Sequence, residues 1–241
     1  MEQEDNYASA HRFEEENGEF HLTQLSRFWD DVNSGYGFET LDEKFRRLTH
    51  YLMNRLCLDV AGRIYRLTEL EIYYHNEKNH CDPYVHRSPE QLTSCRWYFN
   101  GSGLDITFGD YDRRIYGGIL IRGIMKFGEP TIYISGPANV LKEIFSTMGN
   151  ITDGKNGICL RELNSEIIAS IEMEPIQSVR IGLTKKQDDS DNYVEKKYRY
   201  IVALNPQHKF KDKEKVIRQL WLDGKITREQ AKDIMGYNSK L

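Results

Sequence analysis

The stretch Leu67-Thr68-Glu69-Leu70-Glu71-Ile72-Tyr73-Tyr74 decides how the rest of the chain is read. In a strand, side chains alternate between faces, so Glu69, Glu71 and Tyr73 share one face while Leu70 and Ile72 point into a core. A loop runs on to His86 and brings together His75, Glu77, His80, Cys81, Asp82 and His86. Two carboxylates and an aromatic on one face, beside a loop rich in titratable groups, suggest a site. An edge strand with a solvated acidic face would read the same way.

Before this stretch, residues Met1 to about Asn17 read as a polar tail, and His21 to Asn33 has apolar residues at helical spacing. A glycine-rich break, Ser34-Gly-Tyr-Gly37, closes that helix. Leu41 to about Leu58 reads as an amphipathic helix with Phe45, Leu48, Leu52 and Leu56 on one stripe. Asp59 to Tyr74 follows as strand. After it, Asn76 to about Leu92 is a long loop in which Pro83 and Pro89 oppose regular structure. Arg96–Phe99 and Leu104–Phe108 read as two strands around Asn100-Gly-Ser-Gly103, a hairpin signal, and Gly109 to Arg114 is a charged turn.

Gly117 to Met125 is apolar enough for a buried strand, with Arg122 near its end, and Thr131 to Ser135 is another strand. Gly136-Pro137 opens a helix to about Met148, with proline near the first turn, where it costs least. Glu162 to Glu172 fits a strand or a short helix. Val179–Leu183 and Tyr198–Leu204 read as strands. The chain closes with a helix over Lys211–Leu222, a break at Asp223-Gly224, and a capping box at Thr227-Arg-Glu-Gln230 that starts a second helix. Such a pair is expected to dock on its own body; a DNA-contacting helix-turn-helix is the alternative.

The 241 residues suffice for a full core, and no apolar run approaches the roughly 18 residues of a membrane span. The acidic, polar N-terminus lacks the basic-then-apolar pattern of an export signal. Cys57, Cys81, Cys95 and Cys159 have no paired spacing, which fits reduced thiols; a soluble cytoplasmic protein is expected. The net charge of −4 is unevenly spread: twelve acidic and three basic side chains lie before Arg46, leaving +5 on the remainder. A mildly basic body remains compatible with a polyanionic partner.

If Arg122 ends a buried strand it needs a partner, because an unpaired buried charge is expensive. Glu69 or Glu71 could supply it, either as a structural ion pair or as a general base beside an orienting guanidinium. His75, His80, Cys81 and His86 match no common zinc spacing, so no metal is expected. Gly101-Ser-Gly103 and Gly117-Gly118 are too short for a nucleotide loop. No Ser-His-Asp or Cys-His arrangement suggests nucleophilic hydrolysis.

The order of these segments resembles the alkyladenine (3-methyladenine) DNA glycosylase family. That family has a strand reading roughly Glu-Thr-Glu-Ala-Tyr, an Asp-x-x-x-His loop, an aromatic-glycine hairpin and a strand Val-Leu-Leu-Arg-Ala. Here the matching stretches are Glu69-Leu-Glu71-Ile-Tyr73, Asp82-Pro-Tyr-Val-His86, Thr107-Phe108-Gly109 and Ile119-Leu-Ile-Arg122-Gly. The family's Gly-Pro-Ala helix and late strands Arg-Ile-Gly and Arg-Phe-Tyr-Val stand as Gly136-Pro137-Ala138, Arg180-Ile-Gly182 and Arg199-Tyr-Ile-Val202. No single motif is specific; their joint order over about Val60 to Pro206 carries the resemblance.

The resemblance implies an α+β fold: one mixed domain with a curved, mainly antiparallel sheet flanked by helices, over residues 41–210. An acidic extension (1–40) with one helix would precede it, and the C-terminal helical hairpin (211–241) would follow. It implies Glu71 as the base that activates water for attack at the sugar C1′, with Arg122 helping to hold that water. Tyr73 would stack on the extruded nucleobase and His86 would line the pocket. Phe108 takes the place of the tyrosine wedge that fills the duplex gap, and Tyr111, Arg113 and Arg114 would meet the duplex or its backbone. Asp105 stands where the family has a second stacking aromatic.

The partner expected is double-stranded DNA carrying a modified nucleobase, bound by a monomer that needs no cofactor. A carboxylate in place of an aromatic wall suits a nucleobase with a polar appendage, such as glucosylated hydroxymethylcytosine in phage DNA, and hence antiviral defence. Repair of alkylated purines is an alternative. A non-catalytic nucleic-acid-binding module on the same fold is another.

Overall fold

The computed structural model describes residues 18–34, 39–101, 103–150, 152, 154 and 156–236; the polar tail and the Gly35–Gly37 break lie outside them. Helix α1 (Gly18–Ser34) is followed by α2 (Leu41–Asn54), which Thr40 and Glu43 start with a reciprocal capping box. The sequence places the end of α2 near Leu58, but the helix stops at Asn54. Leu56, Cys57 and Leu58 are buried in succession, a demand a strand inside a sheet meets and a helix stripe does not. They form β1 (Leu56–Val60), which turns at Ala61-Gly62 into β2 (Arg63–Asn76).

Eight further strands join them: β3 (His80–Cys81), β4 (Ser94–Asn100), β5 (Gly103–Phe108), β6 (Ile115–Lys126), β7 (Ile132–Ser135), β8 (Ile158–Glu162), β9 (Ile176–Ser178) and β10 (Arg199–Ile201). They make one curved antiparallel sheet along β4-β5-β6-β2-β1-β8, with β7 on β6, β3 and β10 on β2, and β9 beyond β10. Helices α3 (Pro137–Thr147), α4 (Ser165–Ile171), α5 (Lys213–Leu222) and α6 (Arg228–Met235) complete the α+β fold. The Glu162–Glu172 ambiguity resolves into both forms, because Asn164 caps α4 through Ile167 N–H (2.8 Å) just after β8 ends.

Helices α1 and α2 cover the sheet face formed by Leu70, Ile72, Tyr74, Ile106 and Phe108. Trp29 stacks on Phe108 at 5.5 Å, and Phe45 meets Tyr74 and Tyr198 edge-on at 5.6 and 5.2 Å. The C-terminal pair α5–α6 docks through Val216, Ile217, Leu220 and Ala231 on Ile201 and Phe210.

Two departures from the sequence reading shape the site. The ladder expected over Val179–Leu183 ends at Ser178, and Arg180–Gly182 forms a turn with Gly182 at φ +79°. Register between β2 and β6 also slips twice: Glu69 faces Gly123 and Leu70 faces Ile121, so Thr68 and Arg122 are each an extra residue. A bulge of this kind bends the strand and re-aims its side chain.

Candidate active site

On β2, alternation sends Glu69, Glu71 and Tyr73 to the face opposite α1 and α2. Register carries that face across the sheet. Glu71 pairs with Leu120 on β6 and Arg199 on β10, and Leu120 pairs in turn with Asp105 on β5. Residues directly opposite in an antiparallel ladder project to the same side, so Asp105, Leu120, Glu71 and Arg199 form one row.

The charged groups of this face are interlocked. Glu69 accepts from Nε of Arg122 (3.0 Å) and Nε of Arg199 (2.8 Å), and Arg122 Nε also lies 3.3 Å from Glu71 Oε1. The Ile181 backbone N–H donates to Glu71 Oε1 at 2.7 Å and the Tyr73 hydroxyl donates to Oε2 at 3.0 Å. Glu71 is fully buried. Burial pushes its carboxyl above the ordinary glutamate range, and Arg122, Ile181 N–H and Tyr73 pull against that shift without cancelling it. Arg122 bridges the two acids, so both of its candidate partners contact it.

Arg180 forms the second layer. Its side chain is wholly buried, donates to Asp82 at 2.7 Å, and lies over the Tyr73 ring at 4.7 Å from the centroid. One face of Tyr73 is therefore covered. Arg180 and Arg199 escaped selection as site residues from the sequence, although Arg180 is a lone cation among Val179, Ile181 and Leu183, the signal that singled out Arg122.

Asp105 is 4% exposed, with its Oδ2 accepting from Asn100 Nδ2 at 3.0 Å and its Oδ1 unpartnered. Arg122 and Arg199 are engaged by Glu69 and Glu71, and Asp105 has no ion pair with a described residue. Burial accordingly pushes its carboxyl up to about 7, opposed by the Asn100 hydrogen bond and helped by the nearby Glu71 charge. In its neutral form the carboxyl can donate as well as accept a hydrogen bond. A side chain at Gly118, which pairs with both Tyr73 and Thr107, would meet Gln91 Nε2 at 2.9 Å and Asp105 Oδ2 at 3.1 Å.

The remaining expected residues are placed differently. Phe108 does not reach the surface: it is fully buried between Trp29 and Tyr74, because it shares its strand face with Leu104 and Ile106. It cannot be the duplex wedge. Tyr111 is 73% exposed at the β5–β6 turn, beside Arg113, which bonds Asp110, and Arg114, which lies 3.8 Å from Glu77. His86 is exposed and has no hydrogen bond or ion pair to a described residue, so the structure does not tie it to Glu71. The buried histidines of the same loop are struts: His75 meets Asp82 O at 3.1 Å, and His80 joins Tyr74 O to the Tyr198 hydroxyl, each at 2.9 Å.

No protein-family model matches the chain. It is 32% identical over 209 residues to a protein of Acanthamoeba polyphaga mimivirus described as "Uncharacterized protein L759", an alignment spanning 72% of this chain and 89% of the viral one. The chain belongs to the family of that viral protein. No helix among the described residues is long and apolar enough to cross a membrane.

Proposed function

We propose that the protein is a monofunctional DNA glycosylase, which turns a modified nucleotide out of the duplex and hydrolyses its N-glycosidic bond. The observation that carries this reading is a pair of buried carboxyl groups on one sheet face in different environments. Glu71 is held by three donors within a charge-balanced cluster, whereas Asp105 has no cation. Burial raises both carboxyl groups, but only Glu71 has a cation and two further donors to hold its charged form, a difference in surroundings that can divide the roles of base and acid. Their Cα atoms stand two strand spacings apart, roughly 10 Å, on either side of Leu120.

In this reading Glu71 removes a proton from water as the water oxygen attacks C1′. The C1′–N bond breaks with its electron pair going to the nucleobase, and the Asp105 proton neutralises that leaving group. The Glu71 charge also offsets the positive charge that develops on the sugar. Tyr73, half-buried beside Glu71, would stack on the nucleobase, and Tyr111 replaces Phe108 as the aromatic presented to the duplex gap. Glu71 is fully buried, so the attacking water must be admitted to it together with the nucleotide. The polar pair Asp105–Asn100 favours a nucleobase with a hydrogen-bonding appendage, such as glucosylated hydroxymethylcytosine, and thus a role in defence against phage.

The purified protein should create abasic sites in glucosylated DNA and none in unmodified DNA. Glu71→Gln should lower release at least a hundredfold while leaving DNA binding within about threefold. Release of 3-methyladenine instead would reassign the substrate, and absence of abasic sites in every modified DNA would end the glycosylase reading.

A further inference from the structure

Arg66, on β2, is 2% exposed and has no carboxylate partner among the described residues. Its Nε donates to Met53 O at 3.1 Å, and its Nη2 donates to Asn54 Oδ1 and Ile171 O, each at 2.8 Å. Met53 lies in the last turn of α2 and Ile171 ends α4, so the cation clamps two negative helix ends. Three of five guanidinium N–H groups are then used, and the two on Nη1 have no acceptor among the described residues. Burial pulls the pKa of the guanidinium down to about 10.

Arg66 lines a cavity of about 350 Å³ between α4 and the segment after β10. Its walls include Ile171, Ile176, Val202 and Leu204, with the Tyr133 hydroxyl, an acceptor for Asn205 Nδ2 at 2.6 Å, on one side. Apolar walls around a few convergent polar groups define a small-molecule site. Among the lining residues only Arg66 and Glu174 are charged. One buried cation matches one negative charge, and the Glu174 carboxylate repels a second. The occupant is therefore a monoanion rather than a phosphate dianion.

We propose that this cavity binds a small carboxylic acid with an apolar tail, its carboxylate on Nη1 of Arg66 and its tail along the isoleucine wall. Arg66 precedes Glu71 by five positions, roughly 16 Å along the strand, so this site is separate from the carboxyl pair and independent of the glycosylase reading.

Hexanoate, hexanol and inorganic phosphate titrated into the full-length protein, followed by amide NMR shifts, test it. Hexanoate should give saturable shifts at residues 170–176 and 201–205 with a dissociation constant of about 1 mM or tighter, and hexanol should bind at least about tenfold more weakly. Phosphate should leave these residues unmoved. Ser170→Trp, at an exposed position on the cavity wall, should abolish hexanoate binding without changing the unfolding midpoint, whereas Arg66→Gln also loosens two helix ends. Absence of saturable hexanoate shifts, equal affinity for hexanol, tighter binding of phosphate, or unchanged hexanoate binding by Ser170→Trp would each overturn the proposal.

Discussion

Asp105 is where the residue-scale energetics are most exposed to measurement. Its folded-state acidity, near 7, lies above the unfolded value near 4, so the protein binds this proton more tightly when folded. Its contribution to stability is therefore complete below about pH 4 and is lost as pH rises towards 7. Asp105→Asn cannot ionise. The variant should match the parent near pH 4 and exceed it by about 2–4 kcal/mol at pH 8, as read by urea unfolding at both pH values. A constant difference across that range would mean that Asp105 ionises freely in the folded protein. The sequence exposed this residue only as a departure from a resemblance; its neutrality depends on counting Arg122 and Arg199 against Glu69 and Glu71, which needs the fold.

At the scale of elements, the strand face carrying Glu69, Glu71 and Tyr73 was legible because alternation is local. The same alternation through Leu104, Ile106 and Phe108 points to a buried Phe108, and it outweighs the resemblance that made Phe108 a wedge. Arg180 and Arg199 were harder to find, since their acidic partners lie 98 and 130 positions away. The bulges were invisible because they exist only as a mismatch between two strands. Gly123 sits at that mismatch, where an added Cβ would stand 2.9 Å from Glu69 Cβ and 3.0 Å from Thr68 Oγ1. Gly123→Ala should destabilise by about 1–3 kcal/mol, because the crowded atoms belong to the strand itself. Gly101→Ala, which meets nothing within 4 Å, is the matched control and should be close to neutral in the same denaturation experiment.

For the whole molecule, the α+β class was expected from the family resemblance that the segment order carries, and the late helix pair docks on the sheet's β10 end. Charge acts at this scale too. Residues 1–17 hold six carboxylates and one arginine, so removing them brings the formal net charge from −4 to +1. A chain beginning at Gly18 should bind unmodified duplex more tightly at low salt, and the advantage should shrink as ionic strength rises. Fluorescence anisotropy at two salt concentrations decides this; equal affinities at low salt would show that the acidic segment exerts no long-range repulsion.

The donor that holds Glu71 from the Arg180–Gly182 turn belongs to the backbone, and this gives the centre an unusual pattern of mutational tolerance. Any residue with an N–H can occupy position 181 and supply the same bond, so Val, Leu or Ala there should preserve the orientation of Glu71. Proline alone deletes the donor. A saturation library at this position should therefore lose function at proline while accepting other apolar residues, leaving a site constrained in geometry but free to drift in sequence.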